Sequence, residues 1–172
     1  LIPADQVDKT KARDPRAGNP MGPPGLIKGT DYGLEQKAVL SPLFSPCTAP
    51  PWSLMVAVDM ISGDILWKTP FGKIDQLSPL PIGFEWGTPF AGGAITTAGG
   101  VVFIGATADE RFRAFDVSTG KKLLEIKAPT SAMASPMTYM ANGKQYVVIA
   151  TGGHMWNYPK GISDEIIAYA LP

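Results

Sequence analysis

WGTPFAGGAITTAGGVVFIGATADERFRAFD, residues 86–116, decides how this chain folds. Short β-branched and aromatic runs alternate in it with glycine-centred turns, the pattern of successive short strands. Its segment AITTAGGVVFIGAT (94–107) has a counterpart in MTYMANGKQYVVIAT (137–151), each a strand, a Gly-containing turn and a second strand. The next segment, RFRAFDVSTGKKLLEIKAP (111–129), repeats SLMVAVDMISGDILWKTPF (53–71): Asp116 and Gly120 stand where Asp59 and Gly63 stand 57 residues earlier. A further copy of its first strand is EIIAYAL (165–171).

One full repeat therefore carries four antiparallel strands, near 93–97, 101–106, 112–116 and 122–126. A four-stranded repeat of this length is the sequence form of a propeller blade, whereas a β-sandwich does not require such self-similarity. The expected fold is all-β, a partial β-propeller built of four-stranded antiparallel blades. Residues 52–172 hold the last two strands of one blade (54–58 and 64–68), one complete blade (about 93–127) and the first three strands of another. Rings of this kind close with roughly four to eight blades. The chain is thus expected to be part of a larger propeller, its open edges covered by upstream blades of the same protein or by self-association.

Residues 1–51 differ in character: they carry nine of the seventeen prolines, among them PMGPPG (20–25) and SPLFSPCTAPP (41–51). Such spacing forbids a continuous helix and interrupts ladder hydrogen bonding, so irregular chain is expected there, with a short strand near 37–40. Fifteen basic and fifteen acidic side chains cancel without long like-charged runs, which leaves no nucleic-acid footprint and no polybasic membrane patch. No apolar run reaches the ~18 to 20 residues of a membrane helix, and the first residues lack a signal-peptide pattern. The first residue is Leu1 rather than Met, so a processed or excised piece is expected. The single Cys47 cannot form an intramolecular disulfide, and a buried, small apolar role is expected of it.

Because neighbouring strands are antiparallel, the turns at 62–63, 98–100, 118–120 and 142–143 leave by one face and the connections at 72–92, 105–111 and 152–164 by the other. The second set is longer and richer in aromatics, which marks it as the functional face. The loop into the innermost strand carries Trp86, Gly87, Thr88, Pro89 and Phe90, and the last loop, GGHMWNYPKGISD, carries the only histidine, His154, beside Trp156 and Tyr158. Asp59 and Asp116 recur at equivalent turns and are read as scaffold, capping backbone N–H groups. Asp109, Glu110 and Arg111 are read as a solvated loop tip. Glu85 is a carboxylate without a spaced partner, weak as a candidate base.

The stretches PCTAPPWSLMVAVD (46–59), GTPFAGGAITTAGGVVFIGATAD (87–109), RAFDVSTGK (113–121), SPMTYMANGKQYVVIATGGHMW (135–156) and DEIIAYALP (164–172) resemble the membrane-bound, pyrroloquinoline-quinone (PQQ) dependent dehydrogenases of the glucose and quinate/shikimate type. They cover roughly two thirds of the chain in the family's order. The resemblance implies the C-terminal blades of an eight-bladed quinoprotein propeller on the periplasmic face of a bacterial inner membrane, passing electrons to ubiquinone through a membrane segment absent from this chain. It implies oxidation of a sugar, polyol or cyclic hydroxy acid with PQQ and a Ca²⁺ or Mg²⁺ ion. The catalytic carboxylate and the metal ligands are expected from blades outside this chain, so no catalytic and no metal residue is assigned here and the isolated chain is expected to be inactive. Trp86, Thr88, Phe90 and Ala91 are the expected cofactor-side residues; aromatic faces such as Trp86 and Phe90 stack on flat rings or else plug the channel. His154 and Trp156 are expected on a substrate-side loop, where an imidazole can hydrogen-bond a hydroxyl. Three departures from the family stand out: Phe90 replaces an asparagine, Met155 and Trp156 enlarge the glycine-rich histidine loop, and Leu124 stands where the previous repeat has the blade-packing Trp67. The alternative expectation is a non-catalytic propeller acting as a scaffold or assembly module, similar to the propeller lipoproteins of outer-membrane assembly.

Overall fold

The computed structural model describes residues 1–7, 25–34, 39, 41–42, 46–74, 83–88, 91–153 and 162–170. Its strands, in chain order, are β1 (Ile2–Pro3), β2 (Gly25–Leu26), β3 (Tyr32–Leu34), β4 (Leu54–Val58), β5 (Ile65–Pro70), β6 (Ala94–Thr96), β7 (Val101–Ile104), β8 (Arg111–Asp116), β9 (Lys122–Lys127), β10 (Met137–Ala141), β11 (Lys144–Ala150) and β12 (Ile166–Ala170). A 3-10 turn at Ala4–Gln6 is the only helical element among the described residues. Strands β6 to β9 form one four-stranded sheet in sequence order, flanked by the hairpin β4–β5 and the three-stranded sheet β10–β11–β12. All of the recorded pairings in these sheets are antiparallel.

The strands begin and end where turn chemistry dictates. Asp116 Oδ1 accepts the backbone N–H groups of Ser118 at 3.0 Å and Thr119 at 2.8 Å, and Asp59 Oδ1 accepts those of Ser62 at 3.0 Å and Ile61 at 2.7 Å. These bonds satisfy donors the ladder leaves free, and both aspartates are scaffold, as their recurrence implied. Beside each turn the register slips by one residue. Ala114 faces Leu124 while Phe115 faces Lys122, and Ala57 faces Trp67 while Val58 faces Ile65. The same bulge thus recurs at equivalent places in two blades.

Strand β8 is buried on both faces, which identifies its sheet as the middle layer. On one side Phe115 joins Val102, Ile104, Ala106 and Phe71, with Met55 of β4 and Val117 packed against them. On the other Phe112 packs with Ala128, Ala132, Val147 and Ile149, and its ring stacks on Tyr169 of β12 at 5.2 Å. Each fully buried aromatic of this kind contributes about 1.5–3 kcal/mol by leaving water. Trp67 ties the first two layers together. Its Nε1 donates to the Val117 carbonyl at 2.8 Å, and its ring lies so close to Gly120 that a Cβ there would stand 2.5 Å from Cδ2. Leu124, the equivalent of Trp67 in the middle sheet, is exposed.

Two expectations are corrected here, and one lies partly outside the described residues. The proline-rich third is not wholly irregular: β1, β3 and β2 pair into a small sheet, with Val7 buried beneath Gly33. Cys47 is exposed rather than buried, because the bends around it run along the surface with a single backbone bond from its N–H to the Val39 carbonyl. Of the strand expected near 37–40, only residue 39 is described, and it is not in a strand.

Candidate functional site

The described parts of the connection from β5 to β6 are held as a narrow ladder. Thr88 N–H donates to the Phe71 carbonyl at 3.1 Å, Gly87 N–H to Gly72 at 3.0 Å, and Ile74 N–H to Phe84 at 3.3 Å. On the other side of the same segment Trp52 N–H donates to the Trp86 carbonyl at 2.7 Å. Ser53 locks the corner: its Oγ donates to the Phe71 carbonyl at 2.5 Å and accepts from Thr88 N–H at 3.0 Å. Phe84, Trp86, Gly87 and Thr88 are therefore each tied by a backbone hydrogen bond.

Of the expected cofactor-side residues, Trp86 is 39% exposed. Its ring stacks on Phe84 at 4.5 Å and meets Trp52 edge-on at 5.8 Å, so part of its surface is already used within the loop. Thr88 is fully buried, and its Oγ1 has no hydrogen-bond partner among the described residues. That hydroxyl sits against Gly72, where a Cβ would come within 2.4 Å of it; any other residue at 72 would expel Thr88 from its place. Ala91 is half-buried and donates its N–H to the Ala106 carbonyl at 3.1 Å. Ala106 in turn donates to Ala132 at 2.6 Å, so the loops of successive sheets are stitched together by backbone bonds. Phe90, His154 and Trp156 lie outside the described residues.

The structure also assembles charged groups that inspection of local sequence misses. Asp109 is not a solvated tip: it is fully buried and receives Arg113 through both Nη atoms, Thr107 Oγ1 at 2.6 Å and the Lys73 backbone N–H at 2.8 Å. Burial of a carboxylate is tolerable only with such saturation. Arg113 also lies 5.5 Å from the Phe71 ring centre and donates Nε to Glu125 at 3.0 Å. Glu125 is the hub, accepting Lys73 Nζ at 2.6 Å and Lys122 Nζ at 2.8 Å as well. Burial alone would raise its carboxyl, but Lys122, Lys73 and Arg113 outweigh that and lower its pKa to about 2. Lys122 and Lys73 reach on to Glu85 at 2.7 and 3.6 Å. Burial works against the Lys122 charge, yet Glu125 and Glu85 hold its pKa above the ordinary lysine value. Glu85, without a partner in sequence, has two in space.

A cleft of about 110 Å³ runs between these groups, lined by residues that include Phe71, Glu85, Arg113 and Lys122. It falls well short of the ~300 Å³ at which sites for organic ligands begin. Among the described residues no group of three His, Cys, Asp or Glu side chains is placed to hold a metal ion.

Residues 1–147 match the family described as the PQQ glucose/ethanol/alcohol dehydrogenase β-propeller domain. Quinoprotein glucose dehydrogenase A of Acinetobacter calcoaceticus is 44% identical over 176 residues, which is 100% of this chain and 21% of that protein. A probable quinate dehydrogenase (quinone) of Xanthomonas campestris pv. juglandis is 38% identical over 178 residues, 100% of this chain and 22% of that protein. Among solved structures, a quinohemoprotein alcohol dehydrogenase from Pseudomonas putida HK5 superposes with a TM-score of 0.50 at 27% identity, covering 69% of this chain and 16% of its own. The chain thus spans about a fifth of the length of the curated relatives it matches.

Proposed function

The chain belongs to the PQQ glucose/ethanol/alcohol dehydrogenase β-propeller family, and from that premise we propose that it supplies the C-terminal blades of a quinoprotein dehydrogenase oxidising a sugar, polyol or cyclic hydroxy acid. The observation that carries this is the hydrogen-bonded segment 84–88, which holds the half-exposed Trp86 on the loop entering β6. The residues present fit one side of a PQQ site. Trp86 offers an aromatic face, and the enclosed Thr88 hydroxyl, without a partner among the described residues, is the kind of polar atom that a neighbouring group on this face would complete. When bound, PQQ supplies the carbonyl that takes up the hydride of the substrate alcohol. This chain's part is to position and to exclude water: the loop ladder fixes Trp86, and Ala91 anchors the loop to the next sheet. Phe90, His154 and Trp156 are proposed to complete the cofactor and substrate sides of the same face.

The base that removes the hydroxyl proton, and the ligands of a Ca²⁺ or Mg²⁺ ion, are proposed to come from blades upstream. Those blades would also cover the apolar outer face of β4, where Leu54, Val56 and Val58 are exposed. Delivery of electrons to ubiquinone and a site on the periplasmic side of the inner membrane belong to the same proposal; among the described residues no helix is long and apolar enough to cross a membrane. The test is turnover. The chain joined to its upstream region, given PQQ, Ca²⁺ and a dye acceptor, should reduce the dye with at least one of glucose, glycerol or quinate, while the chain alone should not. Turnover by the chain alone would overturn the division of labour, and a fully loaded longer protein inert to all three would overturn the dehydrogenase assignment.

A further inference from the structure

The charged cluster between the entry loop and β9 links two sheets through side chains. Lys73 and Glu85 lie on the two facing segments of the loop's described ladder, and both reach across to the next sheet: Lys73 to Glu125 at 2.6 Å, and Glu85 to Lys122 at 2.7 Å. Glu125 is in register with Arg113, whose guanidinium is clamped by the buried Asp109, and Asp109 in turn accepts the Lys73 backbone N–H. The bulge at Leu123 is what turns Lys122 to the same face as Glu125. One end of the cluster is thus sunk in the core of the middle sheet, and the other ends on the residue preceding Trp86. Trp86 is held through its own carbonyl to Trp52 of the preceding blade. Trp86 is consequently tied to the preceding blade through its own backbone and to the middle sheet through the side chain of the residue before it.

We propose that Glu85, Lys122 and Glu125 are positioning residues for the Trp86 face, fixing where one blade's entry loop stands relative to the next. This rests on the proposed cofactor face for its functional meaning, while the positioning itself is independent of any ligand. Arg111, whose Nε is 3.9 Å from Glu125, adds a fourth cation around the hub. The hub stays anionic because its pKa is lowered to about 2, so the coupling persists through the neutral range.

The edge-on Trp52–Trp86 pair provides a readout that needs no cofactor, an exciton couplet in the far-ultraviolet circular dichroism of the chain. Trp86→Phe and Trp52→Phe should each abolish it and Trp67→Phe should not, which assigns it. Glu85→Ala and Lys122→Ala should then each reduce the couplet at least twofold, and the double variant should reduce it little further, since the two act as a unit. Phe112→Ala, on the opposite side of β8, should lower stability and leave the couplet in place. Should Glu85→Ala fail to fold, Glu85→Gln and Lys122→Gln serve the same comparison. A couplet unchanged in the Glu85 and Lys122 variants, or lost equally in Phe112→Ala, overturns the proposal. In the longer protein, the apparent affinity for PQQ read from quenching of Trp86 fluorescence should fall on the order of tenfold in Glu85→Ala. Loss of the couplet with PQQ unbound by every form would support positioning and defeat the cofactor face; an intact couplet would defeat positioning whatever PQQ does.

Discussion

Replacing Gly120 by alanine probes how neighbouring blades are held together. Gly120 has a φ of +69°, and a Cβ there would stand 2.5, 2.7 and 3.0 Å from Cδ2, Cε3 and Cγ of Trp67. Two costs follow. An L side chain in the left-handed region costs ~1–2 kcal/mol. Retraction of the indole would also break its 2.8 Å bond to the Val117 carbonyl, worth about 0.5–1.5 kcal/mol, and loosen its packing. The total is about 2–4 kcal/mol. An internal control exists in the preceding hairpin: Gly63 occupies the equivalent turn with a φ of +79°, and nothing lies within 4 Å of a Cβ added there. Gly63→Ala should therefore carry only the conformational cost of ~1–2 kcal/mol. Urea unfolding followed by tryptophan fluorescence should place the Gly120→Ala midpoint below that of Gly63→Ala by about 0.5–1 M, given a slope near 1–3 kcal/mol per M. Coincident midpoints for the two variants would refute the view that the indole rests on Gly120.

Three further outcomes are expected. Glu125 titrates lower in the folded chain than in the unfolded one, so its contribution is complete above pH ~4.5, the ordinary carboxyl value, and is lost as pH falls through about 2; acid unfolding of Glu125→Gln should lack this slope, which contributes no more than ~3 kcal/mol and less once solvent screening is allowed for. Arg113→Met should destabilise the chain by about 3–5 kcal/mol, because it strands the fully buried Asp109, and Asp109→Asn in the same background should recover part of the loss. Phe112→Ala should cost about 3–5 kcal/mol by opening a cavity between Phe103 and Tyr169, readable as a fall in thermal midpoint.

Much of the architecture was legible because repetition supplied a second, independent copy of each signal. The frame linking Asp59–Gly63 to Asp116–Gly120 placed β4, β5, β8 and β9 within one or two residues, while the packing role of Trp67 between blades came from the family resemblance and is seen in its bond to Val117. The charge cluster was illegible for two physical reasons. Strict alternation along β9 would put Lys122 and Glu125 on opposite faces, and only the bulge at Leu123, which leaves no compositional mark, brings them together. Asp109 looked like a loop tip because Glu110 and Arg111 follow it, although its burial is decided by Arg113 and by Lys73, 36 residues away. A clue did exist: Arg113 lies in phase with Phe115 on a strand whose other face carries Phe112 and Ala114, so its charge had to be matched inside. At the entry loop, Trp86 and Thr88 were placed on one segment by their sequence neighbourhood, but the stacking of Phe84 on Trp86 depends on how the ladder of residues 71–74 turns that segment.

The Trp67–Gly120 contact also fixes a direction. The indole comes from the outermost strand of one blade and the glycine from the third turn residue of the next, two unlike surfaces rather than one patch meeting itself. Such a heterologous joint has no twofold axis, so units added through it follow head to tail until rotation brings the last back to the first. A complete ring ends the series. Short of one, association through this joint has no built-in stopping number, and a chain exposing it at an open end would form a distribution of lengths instead of a dimer.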